Sequence, residues 1–159
     1  MKLILDSSVV IAFCKEMGHP DLIRLLQKEH QIILPSKVYD EIKDGPSFAK
    51  LSKLSPRDIV IVEVNKDDFV VLQSKYPYLG SGELGVIAIG LDASRGGEEY
   101  MCILDDERAY KAANSKEGLR VTRTLGLLDI LLNLSQISKE EQSKLFDILR
   151  KSTFRMPPK

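Results

Sequence analysis

Hydrophobic residues fall into short runs separated by longer amphipathic stretches, and several runs stop on an acid or a proline. Leu3, Ile4 and Leu5 predict a buried strand at the start of the chain. Asp6 ends it, and Ser7 and Ser8 supply cap chemistry for a helix carrying Val9, Val10, Ala12 and Phe13. Gly18 is a C-cap residue and Pro20 a first-turn residue of the next helix, whose apolar positions are Leu22, Ile23, Leu25 and Leu26. Ile32 to Pro35 predicts a second strand. Ser36 is placed to cap a helix from Lys37 to Lys43 with Val38 and Ile42 on its inner face. Gly45 to Arg57 is polar and punctuated by prolines, which predicts a short helix within a longer connection.

Ile59 to Val64 predicts a third, β-branched strand, and Lys66 to Lys75 a helix stopped by Tyr76-Pro77. Ser81 or Gly82 then opens an apolar helix through Leu91. Gly82, Gly85 and Gly90 weaken it by roughly 1 kcal/mol each against alanine, which suits a helix lying close to a sheet. Met101 to Leu104 predicts a fourth strand ending on Asp105-Asp106. The small face of Ala109, Ala112 and Ala113 predicts another close-packed helix. Leu119 to Thr122 predicts a fifth, edge strand, and Thr124 to Leu134 an apolar helix. Ser138 to Glu141 is a capping box opening a last helix over 138–152. Strands alternating with helices imply parallel pairing. The expected fold is a three-layer α/β/α sandwich with a central, mostly parallel sheet of about four to five strands, as one domain over 1–159.

Composition narrows the function classes. Lysine plus arginine equals aspartate plus glutamate at 23 each, so any pull on nucleic acid must come from a local patch. Cys14 and Cys102 read as small core residues, and His19 and His30 as surface residues. No apolar run approaches the ~20 residues of a membrane span. Met1 leads straight into the first strand, so a cytoplasmic protein without a signal peptide or membrane partner is expected.

The acids change the picture further. Asp6 and the pair Asp105-Asp106 follow buried strands, and parallel strands share one carboxyl edge, where open α/β sheets bind ligands. Glu41 and Glu83 lie on helices that begin at or near that edge. Carboxylates crowded together repel, and a hard divalent cation such as Mg²⁺, ligated by oxygen, relieves that repulsion. A pair of such ions assists phosphodiester hydrolysis. The plainer possibility for Asp6 alone is that it caps the first helix.

Taken in order, these segments resemble the motifs of the PIN domain, a metal-dependent nuclease fold. Leu5-Asp-Ser-Ser-Val-Val-Ile11 is similar to the first motif and Val38-Tyr-Asp-Glu-Ile42 to the second, with its acid at Glu41. Gly82-Glu-Leu-Gly-Val-Ile-Ala88 is similar to the third, with Glu83 in the acidic position. Ile103-Leu-Asp-Asp-Glu-Arg108 is similar to the fourth. Thr122 to Leu128 and the polar last helix resemble a prokaryotic, partly toxin-like subgroup. The resemblance implies Asp6, Glu41, Glu83 and Asp105 or Asp106 as catalytic and metal-binding residues, with Mg²⁺ or Mn²⁺ as cofactor. One alignment with toxin relatives favours Asp106, and the subgroup pattern favours Asp105. Further implications are single-stranded RNA as substrate, a homodimer, and an antitoxin protein as partner. Leu22, Ile23, Leu25 and Leu26 supply more apolar surface than one helix face needs, which points to a dimer on its own account.

Lys37, Lys43, Arg108, Lys111, Arg120 and Arg123 lie near the motifs as candidate phosphate contacts, although most read as ordinary solvated side chains. Tyr39, Tyr76, Tyr78 and Tyr110 are scattered and predict no stacking platform. Two other readings compete. A phosphatase with Asp6 as nucleophile would want a second aspartate where Ser8 stands. A catalytically inactive PIN-like module would bind RNA or a protein without cutting.

Overall fold

The computed structural model describes residues 1–52 and 59–151. Five parallel strands form the sheet in the order β3-β2-β1-β4-β5: β1 (Lys2–Leu5), β2 (Gln31–Pro35), β3 (Ile59–Val62), β4 (Tyr100–Ile103) and β5 (Val121–Thr122). Leu3, Ile4 and Leu5 are all fully buried. Successive residues of a strand point to opposite faces, so β1 is covered on both sides. Ile32, Ile33 and Leu34, all buried, repeat this in β2, whereas Ile61 of edge strand β3 is 44% exposed. The α/β class and the parallel sheet are as expected.

Between strands run α1 (Ser7–Ile11), continued by a π-helical turn over Ala12–Glu16, then α2 (Asp21–Gln27), α3 (Ser36–Ile42) and α4 (Pro46–Ser52). After β3 come α5 (Lys66–Lys75) and α6 (Ser81–Arg95). After β4 comes α7 (Glu107–Lys111), also continued by a π-helical turn over Ala112–Lys116. Helices α8 (Thr124–Asn133) and α9 (Lys139–Lys151) follow β5, α9 opened by the expected reciprocal bonds between Ser138 and Glu141. Position 152 of the last helix and 53–57 of the polar connection lie outside the described residues.

Helix α6 packs on β1, β2 and β4. A Cβ on Gly90 would stand 2.5 Å from Cys102 Sγ, so this helix does approach the sheet as closely as its glycines suggested. Three local expectations are corrected. Ser36 does not cap α3; it is the first helical residue, and its hydroxyl accepts the Val64 N–H at 3.3 Å, tying α3 to the chain just beyond β3. Helix α6 is capped from Gly80 rather than Ser81 or Gly82. The apolar group on α2 faces inward: Leu22, Ile23 and Leu26 are buried and Leu25 packs against the core, so that group supplies no free dimer surface.

Strand order decides where ligands gather. Chain progress from β1 runs outward to β2 and β3, then resumes on the other side with β4 and β5. The direction of winding therefore reverses between β1 and β4, and the crevice beyond the carboxyl ends of those two strands is the usual binding position in an open parallel sheet. Asp6 and Asp105 stand at that crevice.

Candidate active site

Leu5 pairs with Ile103 at the ends of β1 and β4, and the chain turns into a helix almost at once on both strands. Asp6 occupies the N-cap position of α1, yet its side chain makes no capping bond to the helix. The simple capping role is thus set aside. The Ser8 hydroxyl lies 3.4 Å from Asp6 Oδ2 and 3.2 Å from Asp105 Oδ2, and its one proton serves one of them at a time. Asp6 and Asp105 are only 6% and 8% exposed.

Burial pushes the Asp6 carboxyl up from 3.8 to about 7, with further upward pressure from Glu83, Glu41 and Asp105 and a downward pull from the Ser7 N–H. Asp105 is also raised, chiefly by burial, against four opposing influences: the Thr124 N–H, the hydroxyls of Thr124 and Ser8, and the Arg123 charge. Its carboxylate accepts the Thr124 N–H at 2.8 Å and the Thr124 hydroxyl at 2.7 Å. Arg123, the N-cap residue of α8, provides no side-chain cap, so Asp105 caps that helix from another element.

Two glutamates approach from the helices. Glu41 accepts the Gly82 N–H at 2.8 Å, and the Ser81 hydroxyl lies 3.4 Å from the same oxygen. A Cβ on residue 82 would meet that oxygen at 2.5 Å, so only glycine lets Glu41 sit there undisturbed. Glu83 accepts the Gly80 N–H at 2.9 Å, closing the first turn of α6. Burial raises its pKa most, Asp106 and Glu41 add to the rise, and the Gly80 N–H and Arg108 oppose it. Arg108 is therefore a counter-charge within the fourth acidic motif.

All five sequence-predicted acids thus stand at one end of the sheet, in two different situations. Asp105 is buried on the Asp6 side and joined to it through Ser8. Asp106 is exposed, caps α7 by accepting the Ala109 N–H at 3.0 Å, and acts on Glu83. Among the described residues, no three histidine, cysteine, aspartate or glutamate side chains are drawn together closely enough to hold an ion. The donor set still suits a hard cation, since every candidate donor is a carboxylate oxygen and the acids raise one another's affinity for positive charge.

Sequence reasoning missed the roles of Thr124, Ser8 and Arg123. Arg123 is not a free phosphate contact: it donates to the Asp105 carbonyl at 3.0 Å, pairs with Glu107 at 2.7 Å, and stacks 4.2 Å from the Tyr110 ring centroid. Only the position of Arg123-Thr124 directly after a strand hinted at this. Lys43 lies 3.8 Å from Asp40.

An all-parallel sheet with buried acids at its switch point defines an α/β protein whose candidate site lies at the carboxyl edge. A family model described as a PIN domain matches residues 2–159, and the chain belongs to that family. PIN domains are generally nucleases and usually use divalent metals. No curated protein and no solved structure matches the chain. No helix among the described residues is long and apolar enough to cross a membrane.

Proposed function

We propose that the chain, acting as one domain in the cytoplasm, is a metal-dependent endoribonuclease that hydrolyses phosphodiester bonds of single-stranded RNA. The observation that carries this reading is the convergence, in a PIN-domain chain, of buried Asp6 and Asp105 with Glu41 and Glu83 at the switch point of the sheet. Asp6, Glu41, Glu83 and Asp105 would hold Mg²⁺ or Mn²⁺, which when bound supplies charge neutralisation and polarisation of the phosphate.

The chain's own groups divide the remaining work. Ser8 and Thr124 keep the Asp105 carboxylate oriented and favour its ionised form. Glu41 is aimed by the Gly82 N–H. Asp106 caps α7 and adds charge on the Glu83 side, and so ranks after Asp105 as a ligand. A homodimer, an antitoxin partner and a toxin role belong to the same reading and rest on the family resemblance alone.

The test is a gel assay with end-labelled single-stranded RNA, single-stranded DNA and duplex RNA, in Mn²⁺, in Mg²⁺ and in chelator. Internal cuts confined to single-stranded RNA with metal support the reading. Undiminished cutting by metal-free protein in chelator overturns it. Binding without cutting in either metal selects the inactive module instead.

A further inference from the structure

A second feature adjoins the acids on the side of α6 and α7. The loop from α5 to α6 carries Tyr78, which is 42% exposed. The Arg108 guanidinium lies 5.3 Å from its ring centroid, and Tyr76 meets the ring edge-on at 6.3 Å. Lys116 Nζ is 5.5 Å from the Tyr76 ring. Tyr78, Arg108, Lys111, Ala112 and Lys116 together line a cavity of about 370 Å³, within the size range of small-ligand pockets.

Its lining holds three cations, one aromatic ring and no carboxylate, in a chain whose acids and bases balance at 23 each. Lys111 pairs with Glu107 at 3.6 Å across an exposed helix turn, a contact too weak to hold it from an incoming anion. Arg108 and Lys116 make aromatic contacts, and among the described residues neither forms an ion pair. Both walls continue directly into the acidic site. Tyr78 lies two residues before Gly80, whose N–H holds Glu83, and Arg108 two residues after Asp106.

We propose that this pocket is a substrate subsite, in which a nucleotide flanking the scissile phosphate stacks its base on Tyr78 and sets its phosphate among Arg108, Lys111 and Lys116. Aromatic stacking with adjacent cations is the sequence-tolerant way to hold a single strand, because every base has a π-face. Of the tyrosines scattered along the chain, Tyr76 and Tyr78 meet here, whereas Tyr39 packs on Phe48 and Tyr110 against Arg123. The inference rests on the ribonuclease reading for the identity of the strand.

The experiment measures binding apart from cutting. Fluorescence anisotropy of a labelled single-stranded RNA is followed across a salt series in chelator, for wild type, Tyr78→Ala, Tyr78→Phe and the double variant Arg108→Ala/Lys116→Ala. Melting curves establish that each variant is folded. Tyr78→Ala is expected to weaken binding about fivefold or more, the loss of one stacked base, and Tyr78→Phe to bind like wild type. The double variant should lower the slope of log affinity against log salt by about 1.4, for two single-strand phosphate contacts removed. Wild-type affinity and slope in both Tyr78→Ala and the double variant, or equal loss in Tyr78→Phe and Tyr78→Ala, overturns the subsite. Cutting in Mn²⁺ is scored separately. Wild type that binds in this pattern but never cuts sinks the ribonuclease reading and leaves the subsite standing. Wild type that cuts while the variants bind unchanged sinks the subsite alone.

Discussion

Replacing Asp6 by asparagine should make the metal-free protein more stable at alkaline pH while removing its response to metal. The Asp6 carboxyl is raised from 3.8 to about 7 in the fold. At about 1.4 kcal/mol per unit, holding it ionised inside the folded protein costs about 4 kcal/mol above pH 7. The folded state keeps its proton up to about pH 7, whereas the unfolded chain releases it near 3.8. Between those values the folded state binds more protons, so wild-type stability falls as pH rises. Asparagine carries no charge and escapes that fall. Its amide must find a partner near Ser8 and Asp105, and an unsatisfied donor would return about 1–3 kcal/mol of the gain. The net expectation at pH 8 is about 1–3 kcal/mol, a rise of roughly 3–10 °C in melting temperature for a chain of this size. At pH 5 only about 1.6 kcal/mol of that fall has occurred, and the cost of the unpartnered amide is of the same size, so the advantage should vanish or reverse. Added Mn²⁺ should stabilise wild type, by about 2.7 kcal/mol at a hundredfold excess over its dissociation constant, and leave the variant unmoved. Circular-dichroism melts in chelator and in Mn²⁺ at both pH values provide the readout. A variant that melts well below wild type in chelator at pH 8, yet gains fully from Mn²⁺, would show that Asp6 holds the fold and not the metal.

Two glycines of α6 should respond in opposite ways. Gly82→Ala drives a Cβ to 2.5 Å from the movable end of Glu41, so cleavage should drop at least tenfold with little change in melting. Gly90→Ala meets buried Cys102 Sγ at the same distance, so it should cost about 1–3 kcal/mol of stability and spare the Mn²⁺ response. Thr124→Val removes a 2.7 Å hydroxyl bond to the Asp105 carboxylate. That should cost about 1.5–3 kcal/mol and move the acid limb of the pH–rate profile upward, with Thr124→Ser restoring both. Because Asp6 must lose its proton near pH 7 to serve as a ligand, calorimetric Mn²⁺ affinity should rise steeply from pH 6 to 8 with proton release. A flat affinity would count against Asp6 as a ligand.

The central strands were legible because a parallel strand buried on both faces leaves an uninterrupted apolar run, as in Leu3–Leu5 and Ile32–Leu34. Strand order was not, since nothing local encodes that β4 lies beside β1. The switch point, and with it the meeting of Asp6 and Asp105, follows from that order. The capping box at Ser138 is a local pattern and was readable. Ser36 carried the same local signal, but a tertiary bond to Val64 took its hydroxyl. The apolar positions of α2 were legible as apolar, whereas what covers them depends on the whole core. The acids themselves stood out in the sequence. Their partners did not: Ser8 reaches Asp105 across 97 positions and Thr124 reaches it across 19. Periodicity cannot decide between Asp105 and Asp106 either, because they straddle the strand-to-helix turn where neither period applies. The pairing of Tyr78 with Arg108 likewise joins a loop to a helix start.

The most direct test of the acidic centre is anomalous diffraction from crystals of the wild-type protein grown with Mn²⁺. The account predicts an anomalous peak beyond the carboxyl ends of β1 and β4, about 2 Å from carboxylate oxygens of Asp6 and its neighbours Glu41, Glu83 or Asp105. Protein that cuts RNA in Mn²⁺ but shows its only manganese peaks away from Asp6 would contradict it.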